Sequence, residues 1–499
     1  SSIYSGIRKL ARGMWLRFTA GREEGDYYFW PNSGVSMAKA AAIELVASAS
    51  RTTSRGGPQV VRDAFQNLLE GGRPRPPFSS GWRRTRTSAL QKIPGLDSDP
   101  TQTTHNHFDG SPPDRQIVLE TRATVIQAVH RQLVSDVPLG CFLSGGIDSS
   151  IIAAAARLAG QLQTFSIGFD DARYDETEYA LAVASHLGTQ HHEFIVRPDA
   201  AADLPKLAAV FGEPFADSSA LPTHYLARET REHVKVALSG DGGDELFGGY
   251  ERYRAIQASR QLDRLPMALR KWISHGGACL PSGHPTSFVS KLRRFLKNID
   301  QSAGARYSSY LRIFDDDTIG KLLQAAPKMA PDFVAGQFED LARKSDFAQA
   351  AMATDRVSYL PDDLLTKVDR ASMLHALEVR SPFMDHELVH FAAGLTTDQL
   401  LKRGPKRMLR EAFADDLPAW VFKRKKMGFA VPIGDWFRKE LRPMLHDHLF
   451  ATNSFAAGHF NRNVVERLVE DHETRRADHS QRLYALLMLE LWWCTRRIK

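Results

Sequence analysis

The segment Leu143–Ser150, with the sequence LSGGIDSS, decides the fold that we predict for this chain. It follows a buried strand predicted over Val137–Leu143 and precedes an alanine-rich helix predicted over Ile151–Leu158. Glycines allow a tight turn whose N–H groups point inward, and the helix adds its positive N-terminal end. With the serine hydroxyls, the segment therefore predicts a cradle for a phosphate group. The residues assigned to this cradle are Ser144, Gly145, Gly146, Ser149 and Ser150.

Asp148 is the acidic residue of this segment. A carboxylate beside phosphates is repelled unless a cation lies between them, so we expect Asp148 to hold Mg²⁺. The segment lacks the GxxxxGK[ST] pattern of a Walker loop and the lysine that grips a transferring γ-phosphate. Kinase or ATPase chemistry of that type is therefore disfavoured. An ordinary strand–helix turn without a ligand is the alternative.

A second glycine-rich segment, Leu238–Tyr250 (LSGDGGDELFGGY), follows a strand predicted over Val234–Leu238. In an open parallel sheet, ligands bind beyond the carboxyl ends of the strands, so both segments should face one crevice. Glycines permit a close approach of the backbone, and the acidic residues Asp241, Asp244 and Glu245 offer hard oxygen ligands for Mg²⁺. The alternative, a glycine-rich surface turn, does not explain why the two segments occur together.

Strands and helices alternate from Asp114 to about Tyr250, which predicts an α/β fold with a doubly wound parallel sheet. After Tyr250 helical periodicity dominates, and we expect an all-α C-terminal lobe. Residues 114–499 are therefore divided into an α/β part with both glycine-rich segments, 114–250, and a mainly helical part, 251–499; the resemblance described next implies that the α/β part binds ATP. The predicted strands are Val137–Leu143, Leu162–Phe169, Glu193–Val196 and Val234–Leu238.

These segments resemble the synthetase domain of the class B, glutamine-dependent asparagine synthetases. Leu143–Ser150 is also similar to the SGGxDSS signature of the PP-loop ATP pyrophosphatases, whose fold is adenine nucleotide alpha hydrolase-like and which cleave ATP between the α- and β-phosphates. The resemblance runs from Asp114 to the C-terminus. It is carried further by Phe211–Phe215 (FGEPF), Leu365–Arg370 (LTKVDR), Leu377–Asp385 (LEVRSPFMD) and Lys425–Phe429 (KKMGF).

The resemblance implies how the nucleotide is bound. Leu143 and Ile167 match positions that line the adenine pocket, and Ser239 with Gly240 matches backbone contacts to the nucleotide. The pyrophosphate loop is matched by Ser144, Gly146, Asp148 and Ser149. ATP and Mg²⁺ are the implied cofactors.

The resemblance also implies catalytic roles. Asp148 and Asp244 match Mg²⁺ ligands, and Asp241 stands where some members have Glu, at a position tied to forming the acyl-adenylate. Lys426 matches the lysine that stabilises charge in adenylation and amide formation, with Lys425 as the alternative register. The implied reaction of this carbon–nitrogen ligase activates the aspartate side chain as an acyl-AMP, releases pyrophosphate, and transfers ammonia to give asparagine.

The N-terminal part has a different character. Residues 1–35 are similar to the closing strands of a glutaminase domain, and residues 36–113 are predicted to be a basic linker or insertion that need not fold. The first cysteine is Cys141, inside the predicted sheet, whereas the family's glutaminase nucleophile is an N-terminal cysteine. We therefore expect no glutamine hydrolysis from this chain, and a nitrogen supply of free ammonia or ammonia from a separate glutaminase.

Composition excludes several classes of protein. Charged residues make up 25% and hydrophobic residues 43% of 499 residues, which excludes disorder of the whole chain. The 3 cysteines are scattered, so we expect neither a disulfide framework nor a cysteine-rich zinc module, and we predict a cytoplasmic location. No apolar run is long enough to span a bilayer. The net charge of +7 does not require a nucleic acid, and none is expected as a partner. A homodimer is kept open.

Other functions remain open at this point, because a fold and its activation chemistry do not define the acceptor. Relatives with the same adenylation chemistry close β-lactam rings, form lasso peptides or amidate surface polysaccharides. A PP-loop protein that modifies tRNA through its basic stretch is a third candidate, and an inactive remnant that only binds is a fourth. The segment His386–His390 matches the zinc motif HExxH, but we read it as a capped structural helix.

Overall fold

The computed structural model describes residues 17–19, 22–24, 112–171, 173–279, 288–325, 331–424, 429 and 431–497. Strands β1 (Arg17–Thr19) and β2 (Arg22–Glu24) pair antiparallel and belong to a unit of their own, residues 1–102. The remainder of the predicted glutaminase-like tail lies outside the described residues. So does the predicted basic linker, 36–113, up to residue 111.

The second unit is built on a five-stranded sheet with the order β5-β4-β3-β6-β7, in which all neighbours are parallel. The chain first winds outward from β3 to β5 and then returns to place β6 on the other side of β3. The neighbours β3 and β6 therefore form the switch point at which parallel sheets bind ligands. The strands are β3 (Leu139–Phe142), β4 (Gln163–Phe169), β5 (Gln190–Val196), β6 (Val236–Leu238) and β7 (Glu378–Arg380).

The four strands predicted from the sequence are present, with shifted ends. Strand β7 is a correction, because it lies in the part of the chain that was expected to be all-α. It pairs with β6 through Val236 and Glu378, so its partner is distant in sequence. Three residues are too few to show the alternation of apolar and polar residues that indicates a strand. The segment is a strand because it pairs with β6.

Both faces of the sheet are covered, as the near-continuous apolar strands require. Successive residues of β3 point to opposite sides: Cys141 packs in one hydrophobic core and Phe142 in the other. Helices α1–α3 cover the first face, whereas α4, α5 and the last helix of the chain cover the second. The helices up to the second glycine-rich segment are α1 (Pro112–Gln132), α2 (Ile147–Arg157), α3 (Thr177–Leu187), α4 (Ala200–Phe211), α5 (Ala220–Arg231) and α6 (Gly243–Phe247).

The remaining described residues are helical apart from β7 and connecting segments. A buried carboxylate, Asp355, organises part of this region, since it accepts hydrogen bonds from Arg252, Tyr253 and Tyr307, each at 2.6 Å. The helices are α7 (Glu251–Leu262), α8 (Met267–Ala278), α9 (Phe288–Lys297), α10 (Ala303–Ser309), α11 (Asp316–Leu322), α12 (Phe333–Ala342), α13 (Phe347–Val357), a π-helix (Leu360–Leu365), α14 (Thr366–Met373), a 3₁₀ turn (Pro382–Met384), α15 (His386–Ala393), α16 (Thr397–Leu401), α17 (Arg407–Ala412), α18 (Ala419–Lys423), α19 (Ile433–Arg438), α20 (Arg442–Leu449), α21 (Phe455–His459), α22 (Arg462–Glu473) and α23 (Ser480–Arg497).

Two other carboxylates of this region accept hydrogen bonds from the N–H groups at the start of a helix. Asp385 caps α15 by accepting from the N–H groups of Glu387 and Leu388, and its carboxylate also pairs with Arg131. The HExxH segment therefore forms a capped helix, as predicted.

Glu490 in α23 is buried and accepts from the N–H groups of Phe455 and Ala456. Among the described residues, no helix has both the length and the apolar character needed to cross a membrane.

Candidate active site

The first glycine-rich segment connects the end of β3 to the start of α2. Gly145 has φ of +69°, and a Cβ atom there would lie 2.7 Å from the backbone of Tyr179, so a glycine is required. The loop is closed by its own hydroxyl groups, because Ser144 Oγ and Ser149 Oγ are 3.0 Å apart and Ser144 N donates to Ser149 Oγ at 3.2 Å. The N-terminus of α2 follows directly, which suits an anion.

The second segment, between β6 and α6, packs directly against the first. A Cβ atom at Gly240 would lie 2.8 Å from Asp148 Cβ and 2.9 Å from the backbone nitrogen of Ser149. A Cβ atom at Gly243 would lie 2.6 Å from Asp148 Oδ1. The glycines of this segment therefore allow the two loops to touch, as expected for segments that follow neighbouring parallel strands.

The two loops open on one cavity of about 780 Å³. Gly145 and Ser150 do not line it: Gly145 forms the turn beneath, and Ser150 is fully buried in α2. Lys425 and Lys426 lie outside the described residues, so their role stays a prediction. The predicted site residues that line the cavity are Leu143, Ser144, Gly146, Asp148, Ser149, Ile167, Ser239, Gly240, Asp241 and Asp244.

A lysine that the sequence analysis did not single out lies between the two predicted Mg²⁺ ligands. The ammonium of Lys406 pairs with Asp148 and, at 2.6 Å, with Asp244 Oδ1. Burial alone would lower the pKa of Lys406, but the two carboxylates outweigh this effect and raise the pKa above its usual value. Lys406 precedes α17 with φ of +56° after the turn residues Gly404 and Pro405, and this turn is its only local signal.

The two carboxylates fit a magnesium site of the kind used with nucleotides. Asp148 and Asp244 contact the same ammonium, so their oxygens lie within reach of one cation. Mg²⁺ bound with ATP takes one or two carboxylates and completes its coordination with phosphate oxygens and water. In the part of the chain that the structure describes, no group of three or more His, Cys, Asp or Glu side chains is arranged around a single metal position. A site in which two carboxylates hold Mg²⁺ together with phosphate and water does not require such a group of three.

Arg424 ties the neighbourhood of the predicted catalytic lysines to the first loop. Its guanidinium pairs with Glu176, donates to the carbonyl of Ser144 at 3.2 Å, and lies 3.9 Å from the ring centroid of Tyr179. Glu176 directly precedes α3, so one arginine joins this helix, the loop and the end of α18. The sequence analysis missed Arg424 because its partners are far away along the chain.

A second set of charges lines the same cavity. Lys367 Nζ donates to Asp217 Oδ2 at 2.8 Å and to Ser219 Oγ at 2.7 Å. Near them, Tyr250 donates to Glu245 Oε1 at 2.6 Å. Burial, together with the charge of Asp244, raises the pKa of Glu245 to about 7. Lys367 lies in the segment LTKVDR that the sequence analysis quoted without giving the lysine a role.

This chain is similar in sequence to known asparagine synthetases. The family model described as asparagine synthase matches residues 120–493. "Asparagine synthetase (glutamine-hydrolyzing) 1" of Bacillus subtilis is 32% identical over 382 residues, which cover 76% of this chain and 59% of that protein. "Putative asparagine synthetase (glutamine-hydrolyzing)" of Mycobacterium bovis is 35% identical over 383 residues, covering 75% and 57%. The chain thus spans less than two thirds of the length of these relatives. A family model that matches most of the chain, over the segment that builds the sheet and both loops, shows that this chain belongs to the asparagine synthase family.

Proposed function

We propose that this chain carries out the ATP-dependent, amide-forming chemistry of asparagine synthesis. Its substrate would be the side-chain carboxylate of aspartate, activated as an acyl-AMP and then converted to the amide by ammonia. The observation that supports this most directly is the pair of glycine-rich loops, which follow adjacent parallel strands and open on one cavity that contains Asp148, Asp241 and Asp244. The names of the relatives point to the same reaction.

In the first step a carboxylate oxygen attacks the α-phosphorus, and the bond from that phosphorus to the bridging oxygen of the β-phosphate breaks. The pyrophosphate leaves with the electron pair, and the N–H groups and hydroxyls of the first loop would bind it. Bound Mg²⁺, held by Asp148 and Asp244, would neutralise phosphate charge. Lys406 supplies a buried positive charge beside the same carboxylates.

In the second step ammonia attacks the acyl carbon, AMP leaves with the bonding electron pair, and a proton is lost from the nitrogen. Holding both partners in one cavity supplies the effective concentration that this step needs. We assign ammonia, free or delivered by a separate glutaminase, as the nitrogen source. Cys141 does not serve as a glutaminase nucleophile, since it is fully buried in β3 and burial raises its pKa to about 12.

The test is ATP–pyrophosphate exchange with a panel of carboxylates, followed by identification of the nucleotide product in the presence of ammonium. Aspartate should support exchange and yield AMP and asparagine. Exchange with another carboxylate but not with aspartate would reject aspartate as the substrate and leave the proposed adenylation chemistry standing. Formation of ADP instead of AMP would reject both the substrate and the chemistry. Asp148→Ala and Asp244→Ala should abolish exchange, and activity in either variant would contradict the proposed metal ligands.

A further inference from the structure

Helices α8 and α9 form an antiparallel pair, and none of their described residues lines the cavity. Ser274 Oγ in α8 donates to the carbonyl of Lys297 in α9 at 2.5 Å. One turn further along α8, a Cβ atom at Gly277 would lie 2.5 Å from Leu296 Cβ, so the glycine allows the two helices to touch. These contacts hold α8 against α9 along one face and leave its other face to the surroundings.

The outer face of α8 exposes large apolar side chains. Trp272 is 75% exposed, and it lies on the side of the helix opposite Ser274, because two residues turn an α-helix by more than half a circle. Leu269, three residues before Trp272, is 42% exposed, and Met267 at the start of the helix is 49% exposed. Tryptophan is on average a largely buried residue, so an exposed cluster that contains one indicates an interaction site. We call Met267, Leu269 and Trp272 the apolar patch.

The sequence around the apolar patch carries charge of one sign. From Arg264 to Lys297 it contains seven Lys and Arg residues and no Asp or Glu. The whole chain has a net charge of +7, so this short segment carries as much net positive charge as all 499 residues together. Arg264, just before α8, and Lys271, next to Trp272, are exposed. The patch is therefore flanked by accessible positive charge.

An anionic lipid bilayer is complementary to both features. Its headgroup phosphates attract Lys and Arg, and Trp and Leu side chains gain free energy at the boundary between headgroups and acyl chains. An RNA also offers phosphates, but it has no apolar layer for exposed Leu and Met side chains. Helix α8 has 12 residues, whereas a span needs about 20, so the helix would lie in the interface.

We propose that α8 binds the surface of an anionic lipid bilayer. The apolar patch enters the boundary between headgroups and acyl chains, and Arg264 and Lys271 lie next to headgroup phosphates. Attachment of this kind is peripheral and reversible, because it depends on one short helix and on exposed charges. The inference goes beyond the proposed function and is independent of it, since it concerns where the protein is held and not which bond it forms.

The test measures binding of the full chain to lipid vesicles by sedimentation. Vesicles of phosphatidylcholine alone are compared with vesicles that contain about 30% phosphatidylglycerol, each at about 0.1 M and about 0.5 M NaCl. At low salt the anionic vesicles should be bound at least about tenfold more tightly, and high salt should remove most of this preference by screening the charges. Equal binding to both kinds of vesicle, or binding to neither, would overturn the proposal.

A first pair of variants assigns the charges. R264Q/K271Q should weaken binding to the anionic vesicles about 25-fold, since each basic side chain near a membrane surface contributes about fivefold. R343Q/K344Q removes two exposed charges at the end of α12 and is the matched control, which should bind as the wild type does. Equal losses in the two variants would show a general effect of net charge and reject the proposed surface.

A second pair assigns the apolar contact. L269A/W272A should weaken binding to the anionic vesicles at least about tenfold, because less apolar surface leaves the water. Phe333→Ala, at a position that is 58% exposed at the start of α12, is the control. All these positions are exposed, so the melting temperatures should stay close to that of the wild type. Unweakened binding of L269A/W272A would reject insertion of the patch.

Fluorescence gives a direct readout of insertion. The chain has 8 Trp residues, so the emission of Trp272 is obtained as the difference between the wild type and Trp272→Phe. This difference spectrum should shift to shorter wavelengths when anionic vesicles are added, because the indole ring moves from water into the interface. A difference spectrum that does not shift while the chain is bound to vesicles would contradict the proposal.

Two other partners would give different results. If vesicles are not bound but a single-stranded RNA is, and R264Q/K271Q weakens that binding, the segment is a nucleic-acid surface. If vesicles are not bound but the wild type forms a dimer that L269A/W272A dissociates, the patch is an interface between two copies of this chain. Either result rejects the membrane proposal.

Discussion

The ammonium of Lys406 lies 2.6 Å from Asp244 Oδ1 and pairs at the same time with Asp148, on the other glycine-rich loop. One lysine thus bridges the loops that follow β3 and β6. A carboxylate pair in a buried site repels unless a cation lies between its members. Lys406 supplies that cation from the protein itself, and we expect it to support both the stability of the two loops and their activity.

Lys406→Met should lower the free energy of unfolding by about 3 kcal/mol, because two partly buried carboxylates lose their counter-ion. Chemical denaturation measures this change, and pyrophosphate exchange should fall in parallel. Adding Asp148→Asn to Lys406→Met should recover part of the lost stability by removing the repulsion. Lys402→Met, at an exposed position four residues earlier, is the control and should behave as the wild type. A Lys406→Met protein of normal stability would contradict the bridging role.

Arg424→Lys should raise KM for ATP about tenfold with little change in the melting temperature. The guanidinium contacts Glu176, the Ser144 carbonyl and the Tyr179 ring together, and an ammonium has neither the planar shape nor the number of donors to do so. Steady-state exchange kinetics at varied ATP provide the measurement. Arg254→Lys, on the exposed face of α7, is the matched control. Unchanged KM in Arg424→Lys would show that the arginine does not position the loop.

Gly249→Ala should abolish pyrophosphate exchange. A Cβ atom at this position would lie 1.7 Å from Asp244 Oδ1 and 2.4 Å from Lys406 Cε, so the ion pair must move to admit it. Gly336→Ala provides the comparison, since a Cβ atom there meets nothing within 4 Å and the residue lies inside α12. That change should stabilise the protein by about 0.5–1 kcal/mol and preserve exchange. Full activity of Gly249→Ala would show that the position of the Lys406–Asp244 ion pair is not needed for exchange.

Stability should fall on acidification below about pH 6.5, partly because of His224. Burial, and then the charge of His375, lowers the pKa of His224 to about 4, with Arg228 and Lys206 acting in the same direction and Asp203 opposing them. Between these two pH values the unfolded chain binds a proton that the folded chain excludes, so unfolding is favoured as pH falls. Denaturant titrations from pH 8 to 4.5 should show a shallower loss for His224→Gln. Parallel profiles for both proteins would reject the assignment.

The sequence by itself determined the two glycine-rich loops and the order of the elements around them. Leu143–Ser150 and Leu238–Tyr250 can be recognised in the sequence alone. Tight turns and close backbone contacts require glycine, and both segments contain several glycines. The alternating pattern of strands and helices placed both loops at one edge of a parallel sheet, which the structure shows at the junction of β3 and β6. Ten of the predicted site residues therefore line a single cavity.

Only the tertiary structure decided which charges meet in that cavity. Lys406 and Asp148 are 258 positions apart, and Lys367 and Asp217 are 150 apart, so no spacing or periodicity joins them. Strand β7 was not predicted for a similar reason, because its three residues form a strand only by pairing with β6, which is distant in the sequence. Local conformational preference is encoded over a few neighbouring residues, whereas ion pairs and short strands depend on how the whole chain packs. That packing brings Lys406 and Lys367 to their carboxylate partners.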